Sequence, residues 1–438
     1  MSKPVVFDKS RWDVSTGLDY GGGELFSLPI KYVHHQFPPL SKNIELVSET
    51  DLDGRGDTLQ MAKKGDYLFV GHVFSGGVSV VDVRDPSSPR VVKFIPTDSP
   101  HVWSLKCRVA GDILVIANEW KFFEPDRYCL PGHSGPKEPI ETGIKVYDVS
   151  NPASPQLLSF FKTGQWTKEG GGVSCHRFWF DGHYAYLSAS APGFSEAILR
   201  IVDLSDPRRP RDVSMFWRRG QWAAGGEKPW WPSSARVTCH MAIAQGDRAY
   251  VAWYGLGGTI LDISNIRVPT LVSEFNFNMG GAAHTFQPIK DRQFAMFVDE
   301  DRFVYMLDIS NERSPRIVGM FPRPPKELLE RGVGELYGPG FHCTHENPPC
   351  EDSMKADDVA YVTAQCAGLR IYDIADPYRV SEIGYYVPGT PKVYYSPFGA
   401  EGGNDSAGMN VTDVFVDKKG LIYITGYSEG LKILEFDG

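Results

Sequence analysis

The chain has 438 residues, 42% hydrophobic and 13% aromatic, enough to build a sizeable core and too apolar for a disordered chain. Its 45 basic and 54 acidic residues give a formal charge of −9, which argues against a nucleic-acid backbone or an anionic membrane surface as partner. No stretch of about 18 apolar residues occurs, and the start, Met1 to Asp8, lacks the apolar run of a secretory leader, so the expected setting is cytoplasmic.

Seven cysteines, an odd number with Cys175, Cys239 and Cys343 each beside a histidine, read as reduced thiols.

In chain order, the first strand signal is Asn43-Ile44-Glu45-Leu46-Val47. A recurring phrase follows, an apolar run ending in Asp and an apolar residue, then usually Ser, Asn or Asp before Pro. It reads Val80-Val81-Asp82-Val83, Val146-Tyr147-Asp148-Val149, Ile201-Val202-Asp203-Leu204 and Ile260-Leu261-Asp262-Ile263. Two further copies are Met306-Leu307-Asp308-Ile309 and Ile371-Tyr372-Asp373-Ile374, and a degenerate seventh, Ile433-Leu434-Glu435-Phe436, ends the chain. The mean period is about 58 residues, longer than compact propeller repeats, so the excess sits in inserted loops.

Two more strand-like runs precede each phrase and one follows it. Four short strands per unit and seven units predict an all-β fold, a seven-bladed β-propeller with long capping loops on one face. The last phrase leaves no room for an outer strand, so the N-terminal strand from residue 43 is expected to close the ring. Residues 1–42 are then an N-terminal extension packed on the ring, and 43–438 a single domain. The segment Pro324 to Gly332, with early Pro and terminal Gly, predicts a short helix in the cap.

The phrase resembles the LVIVD repeat, whose pattern is an apolar run ending in Val-Asp followed by Ser-Asp-Pro, over roughly residues 43–438. The resemblance implies a propeller and no particular reaction.

Reading back from each phrase to the start of its first strand brings His176, His240, His284 and His345 to one slot, 22 to 28 residues ahead of the Asp. Asp57 and Asp413 fall there in the first and last units, and His101 in the second. Innermost strands converge on the axis, so four imidazoles would meet there and suit one transition-metal ion, iron(II) favoured and zinc or copper possible. The alternation of strand side chains turns Cys175 and Cys239 away into the core. Asp57, Asp413 and His101 are the candidate acid-base groups.

The inserted loops supply Trp222, Trp231, Arg236 and Tyr395 as candidate substrate contacts. Arg218, Arg219 and Lys228, with Arg236, are cations that would hold a carboxylate or phenolate.

The expected function is therefore a metalloenzyme acting on a small aromatic or apolar molecule. Four axial histidines in a propeller are similar in architecture to the carotenoid and stilbene cleavage dioxygenases. That resemblance implies oxygenase cleavage, whereas a redox-inert ion would give lyase, isomerase or hydrolase chemistry. The alternative is a non-catalytic scaffold or binding module.

Overall fold

The computed structural model describes residues 38–99, 101–120, 139–166, 175–233, 235–276, 281–300, 303–324, 343–344, 358–365, 367–391 and 411–438. Its strands form seven small antiparallel sheets, the seven blades of a β-propeller. Blade 1 runs outward from Thr58–Lys64 through Tyr67–His72 and Gly77–Asp82 to Arg90–Pro96. Blades 3, 4 and 5 repeat that order, with inner strands Phe178–Phe180, Cys239–Gln245 and Ala283–Ile289.

In blade 2 the inner strand is split into Val102–Trp103 and Cys107–Ala110, both paired with Ile113–Trp120. Blade 6 starts at Cys343–Thr344 and ends at Ser381–Val387.

Blade 7 is closed as the sequence predicts. Ile44–Thr50 pairs with Gly430–Phe436, so an early strand and the last strand share one sheet. Just before it, Leu40–Lys42 pairs with Ser381–Val387 as a fifth strand on blade 6, which the sequence does not announce.

The repeated phrase has a physical job. Its Asp carboxylate accepts the N–H two residues on, from Arg84, Ser150, Ser205, Ser264, Ser310 and Ala375 in blades 1 to 6. This turn lets the chain leave the third strand without orphaned amides. The third strands are buried on both faces, as in Gly77–Asp82, which is why they read as unbroken apolar runs.

Outer strands are stitched to the next blade by serines: Ser48 donates to the Pro86 carbonyl, Ser159 to Pro207 and Ser214 to Ile266. Apolar clusters fill the space between neighbours. Phe69 and Val80 meet Leu114 and Ile116 between blades 1 and 2, and Met61 and Val81 meet Phe415 and Ile433 between blades 7 and 1. The core is thus a ring of interfaces, and the axis is left to inner-strand side chains. The helix expected at Pro324 to Gly332 falls, from residue 325 on, outside the described residues.

Candidate functional site

Every described histidine slot lies where an inner strand begins, and in blades 4 and 5 the strand is bulged there. Pairing skips from Cys239 to Met241 and from Ala283 to Thr285, leaving His240 and His284 as the extra residues. A bulge of this kind turns two consecutive side chains to one face. Cys239 and Ala242 accordingly join the same interblade cluster, with His240 and Met241 between them facing the axis. Cys175 and Phe178 bracket His176 and Arg177 in the same way. The cysteines are core residues, as expected.

Three histidines stand in a row on consecutive blades. Ring centroids of His176 and His240 are 5.1 Å apart, and those of His240 and His284 4.0 Å. His176 Nδ1 donates to Glu119 Oε1 at 2.6 Å, and His240 Nδ1 donates to the His284 carbonyl, also at 2.6 Å. His284 Nε2 stands 3.6 Å from Glu300 Oε1. Burial lowers the His176 pKa, with Lys106 adding to it, and burial with Arg177 and His176 takes His240 well below the ordinary imidazole range. Both rings are neutral near pH 7.

The fourth expected ligand, His345, lies outside the described residues, as does Tyr395. Among the described residues, no three His, Cys, Asp or Glu side chains are gathered into a metal-ligand group.

The register corrects three assignments. Ala117 takes the Lys106 carbonyl as Ser188 takes that of Arg177, so Leu105, not His101, occupies the slot of His176 in blade 2. His101 precedes the separate strand Val102–Trp103, because the inner strand there is interrupted. In blade 7 the bulged residue is Thr412, and Asp413 comes one position later, beside the axis but not in the histidine slot. In blade 1 Met61 pairs with Val70 as Ala242 pairs with Val251, so Leu59, not Asp57, occupies the slot of His240.

Asp57 is committed within blade 1. Its carboxylate accepts the amides of Phe74 (2.5 Å) and Ser75 (2.6 Å), and lies 3.7 Å from His72 Nδ1. These bonds fix the turn between two strands, and with no exposed surface Asp57 has the bonding of a structural group.

Sequence reasoning missed a set of buried charges at the second axial position. Lys106 and Arg177 follow the slot in blades 2 and 3, where Asp413 follows it in blade 7, and all three are at most 3% exposed. Lys106 Nζ donates to Glu119 Oε2 at 2.8 Å and lies 3.1 Å from His176 Nδ1. Arg108 and Arg177 reach Asp413 electrostatically from blades 2 and 3, yet burial dominates and pushes its carboxyl up to about 6. Glu119 goes the other way: burial opposes its charge, but Lys106 and His176 hold it below the ordinary range.

A usable signal was present, since a Lys or Arg immediately after the slot of an inner strand is costly to bury without a purpose.

Among the described residues of the cap, the aromatic side chains pack on one another and on the ring. Trp222 is 42% exposed and packs edge-on against Trp217, while Trp231 rests on Gly220 and the cluster between blades 3 and 4. Arg218 is paired with Glu274 at 2.7 Å and Arg236 with Glu196 at 3.3 Å, so neither offers a bare charge. Arg236 also covers the ring of Tyr254, which lies 6.0 Å from His240.

Sequence comparison finds the LVIVD repeat at residues 55–97, 141–163 and 238–277. The chain is a seven-bladed β-propeller scaffold carrying LVIVD repeats. No curated protein matches it. A solved structure of a protein from Lactobacillus plantarum is similar in fold, with a TM-score of 0.52 and 10% identity over 88% of this chain and 89% of that one. The computationally designed Ika8 protein gives a TM-score of 0.46 and 11% identity over 86% of this chain and 96% of its own. Among the described residues no helix is long and apolar enough to cross a membrane.

Proposed function

We propose that the chain is a metal-dependent enzyme in which His176, His240 and His284 hold one transition-metal ion on the propeller axis, iron(II) ahead of zinc or copper. A small organic substrate reacts beside it. The observation that carries this reading is the outward locking of two Nδ1 atoms, to Glu119 and to the His284 carbonyl, each at 2.6 Å. A histidine that ligates through Nε2 needs its other nitrogen held by such an acceptor.

Two imidazoles on one ion at 90–110° have centroids about 4.5–5.3 Å apart, given metal–nitrogen bonds of about 2.1 Å. The 5.1 Å between His176 and His240 falls in that range, and the 4.0 Å between His240 and His284 is shorter. The side chains are adjacent without converging on one point, so ligation includes rotation of the rings about their side-chain torsions. Neutral imidazole is the ligating form, and burial with Lys106 and Arg177 nearby favours it.

A bound ion would supply either an open position for oxygen or a Lewis acid. Glu119 would fix the ring plane of His176. Glu300, whose side chain is 16% exposed, would pass protons between solvent and the His284 end of the row.

Cobalt(II) titrated into metal-free, untagged protein tests the reading through its visible absorbance. One equivalent in the wild type and none in a His240→Ala/His284→Ala variant is expected. Equal behaviour of the two proteins would sink it.

A further inference from the structure

We infer that two copies of the chain pair by exchanging the arm Leu40–Thr50, each arm closing the ring of the other copy. The exchange is independent of any axial metal. The arm lies along the outer rim, where Leu40–Lys42 pairs with Ser381–Val387 of blade 6 and Ile44–Thr50 with Gly430–Phe436 of blade 7. Its partners thus come from the other end of the sequence, and the arm is joined to its own ring through residues 51–57 alone.

The seat is specific for this arm and indifferent to which copy supplies it. Asn43, in the left-handed region at φ 56°, turns the chain from one strand to the next. Its Nδ2 donates to the Ile383 carbonyl at 2.8 Å, and its own carbonyl accepts the Asp437 N–H at 3.0 Å. Ser48 donates to the Pro86 carbonyl. Backbone pairing does most of the holding, because of the residues in the two arm strands only Ile44 is buried, and Leu46 is 41% exposed. Glu45 stands directly opposite Glu435, both exposed, and such a like-charge pair weakens the grip. Glu49 offsets part of this with Lys432 at 3.2 Å.

The closed and exchanged forms differ at the joint to blade 1. Leu52, Asp53 and Gly54 stand one after another in the left-handed region, at φ 55°, 59° and 81°. Two of the three carry a Cβ that crowds the backbone there, so the tight reversal is strained. Leu52 is fully buried in the cluster between blades 7 and 1, whereas Asp53 and Gly54 are exposed. Opening the joint at Asp53 and Gly54 moves Leu52 with the arm into the same seat of the other copy. Every contact named above is then remade, and the reversal straightens. With the contacts equal, strain favours the exchanged dimer and the freedom lost on association favours the closed monomer. A short strained joint between an exchangeable element and its domain is the condition under which chains swap.

The test is size-exclusion chromatography with light scattering of the full chain at rising concentration. Monomer and dimer are expected, with the dimer share growing. Asp53→Gly eases the closed joint and should raise the dimer's dissociation constant by about fivefold or more. In a Glu45→Cys/Glu435→Cys variant, oxidised beside both single variants, the monomer should carry an intrachain link, and the dimer should run as a covalent dimer on a denaturing gel. The link in the monomer peak shows that the facing pair can bond, so the dimer peak is decisive. A wild type that stays monomeric at every concentration overturns the inference. So does a dimer that separates into intrachain-linked monomers, because its copies then meet through another surface, and so does a dissociation constant unmoved by Asp53→Gly.

Discussion

Glu119 lies on the second strand of blade 2, yet its Oε1 accepts the Nδ1 proton of His176 in blade 3 at 2.6 Å while its Oε2 accepts from Lys106 at 2.8 Å. One carboxylate thus bonds both a candidate ligand and a buried lysine, from a position 1% exposed. Glu300 follows the second strand of blade 5 and stands by His284, so a carboxylate flanks each end of the histidine row.

Replacing Glu119 by Gln keeps the shape and removes the charge that orients His176. Cobalt(II) affinity should fall by about 10- to 100-fold, the usual effect of losing an acceptor behind a ligating histidine. An unchanged affinity, measured by absorbance titration, would show that the Glu119 bond serves packing alone.

Asp413 links the site to pH. Its pKa is raised to about 6 from 3.8 by burial, against the pull of the Met61 amide, Arg108 and Arg177. A group with a raised folded-state pKa stabilises fully below its unfolded value and loses that contribution as pH climbs through the folded one. Asp413→Asn, which can still accept the Met61 N–H, should therefore be more stable than wild type above pH 6, by on the order of 2–3 kcal/mol, with the gap closing toward pH 4. Denaturant melts at pH 4 and pH 7.5 check the sign.

Ring closure is made by the pairing of Ile44–Thr50 with Gly430–Phe436. A chain beginning at Asn43 should fold and melt cooperatively, slightly destabilised by loss of the fifth strand on blade 6. One beginning at Asp51 exposes the edge of Gly430–Phe436 and should aggregate. Size-exclusion chromatography and thermal melts of the two truncations distinguish these outcomes.

The serine stitches predict small, separable losses. Ser159→Ala and Ser214→Ala each remove a bond to the neighbouring blade, to Pro207 and Ile266, and should each cost about 1 kcal/mol. Because the two bonds lie in different interfaces, the double variant should lose the sum. A double-mutant cycle in urea measures it.

The blade count and the closing strand were legible because the Asp turn is a local device, repeated wherever a third strand ends. Its carboxylate and the amide it accepts lie two residues apart in sequence. The inner strands were harder. Alternation predicts that every second residue faces the axis, and it placed Cys175 and Cys239 in the core. In blade 3 the His176 N–H and the Arg177 carbonyl both bond Ser188, which breaks that alternation and leaves Arg177 beside His176 unannounced, and Lys106 stands at the equivalent position of blade 2. Slot counting also failed where strands or turns change length: the interruption after Trp103 displaced His101, and the longer turn 417–421 of blade 7 moved Asp413 by one position. Glu119 could not be read at all, since it comes from a second strand and acts on the next blade.

The measurement that bears most directly on the axial metal site is elemental analysis by mass spectrometry of protein purified without a histidine tag, beside a His240→Ala/His284→Ala variant. Close to one equivalent of iron, zinc or copper is expected in the wild type, and its loss in the variant. A wild type that carries none, and takes up none on reconstitution with iron(II), zinc(II) or copper(II), would contradict the site.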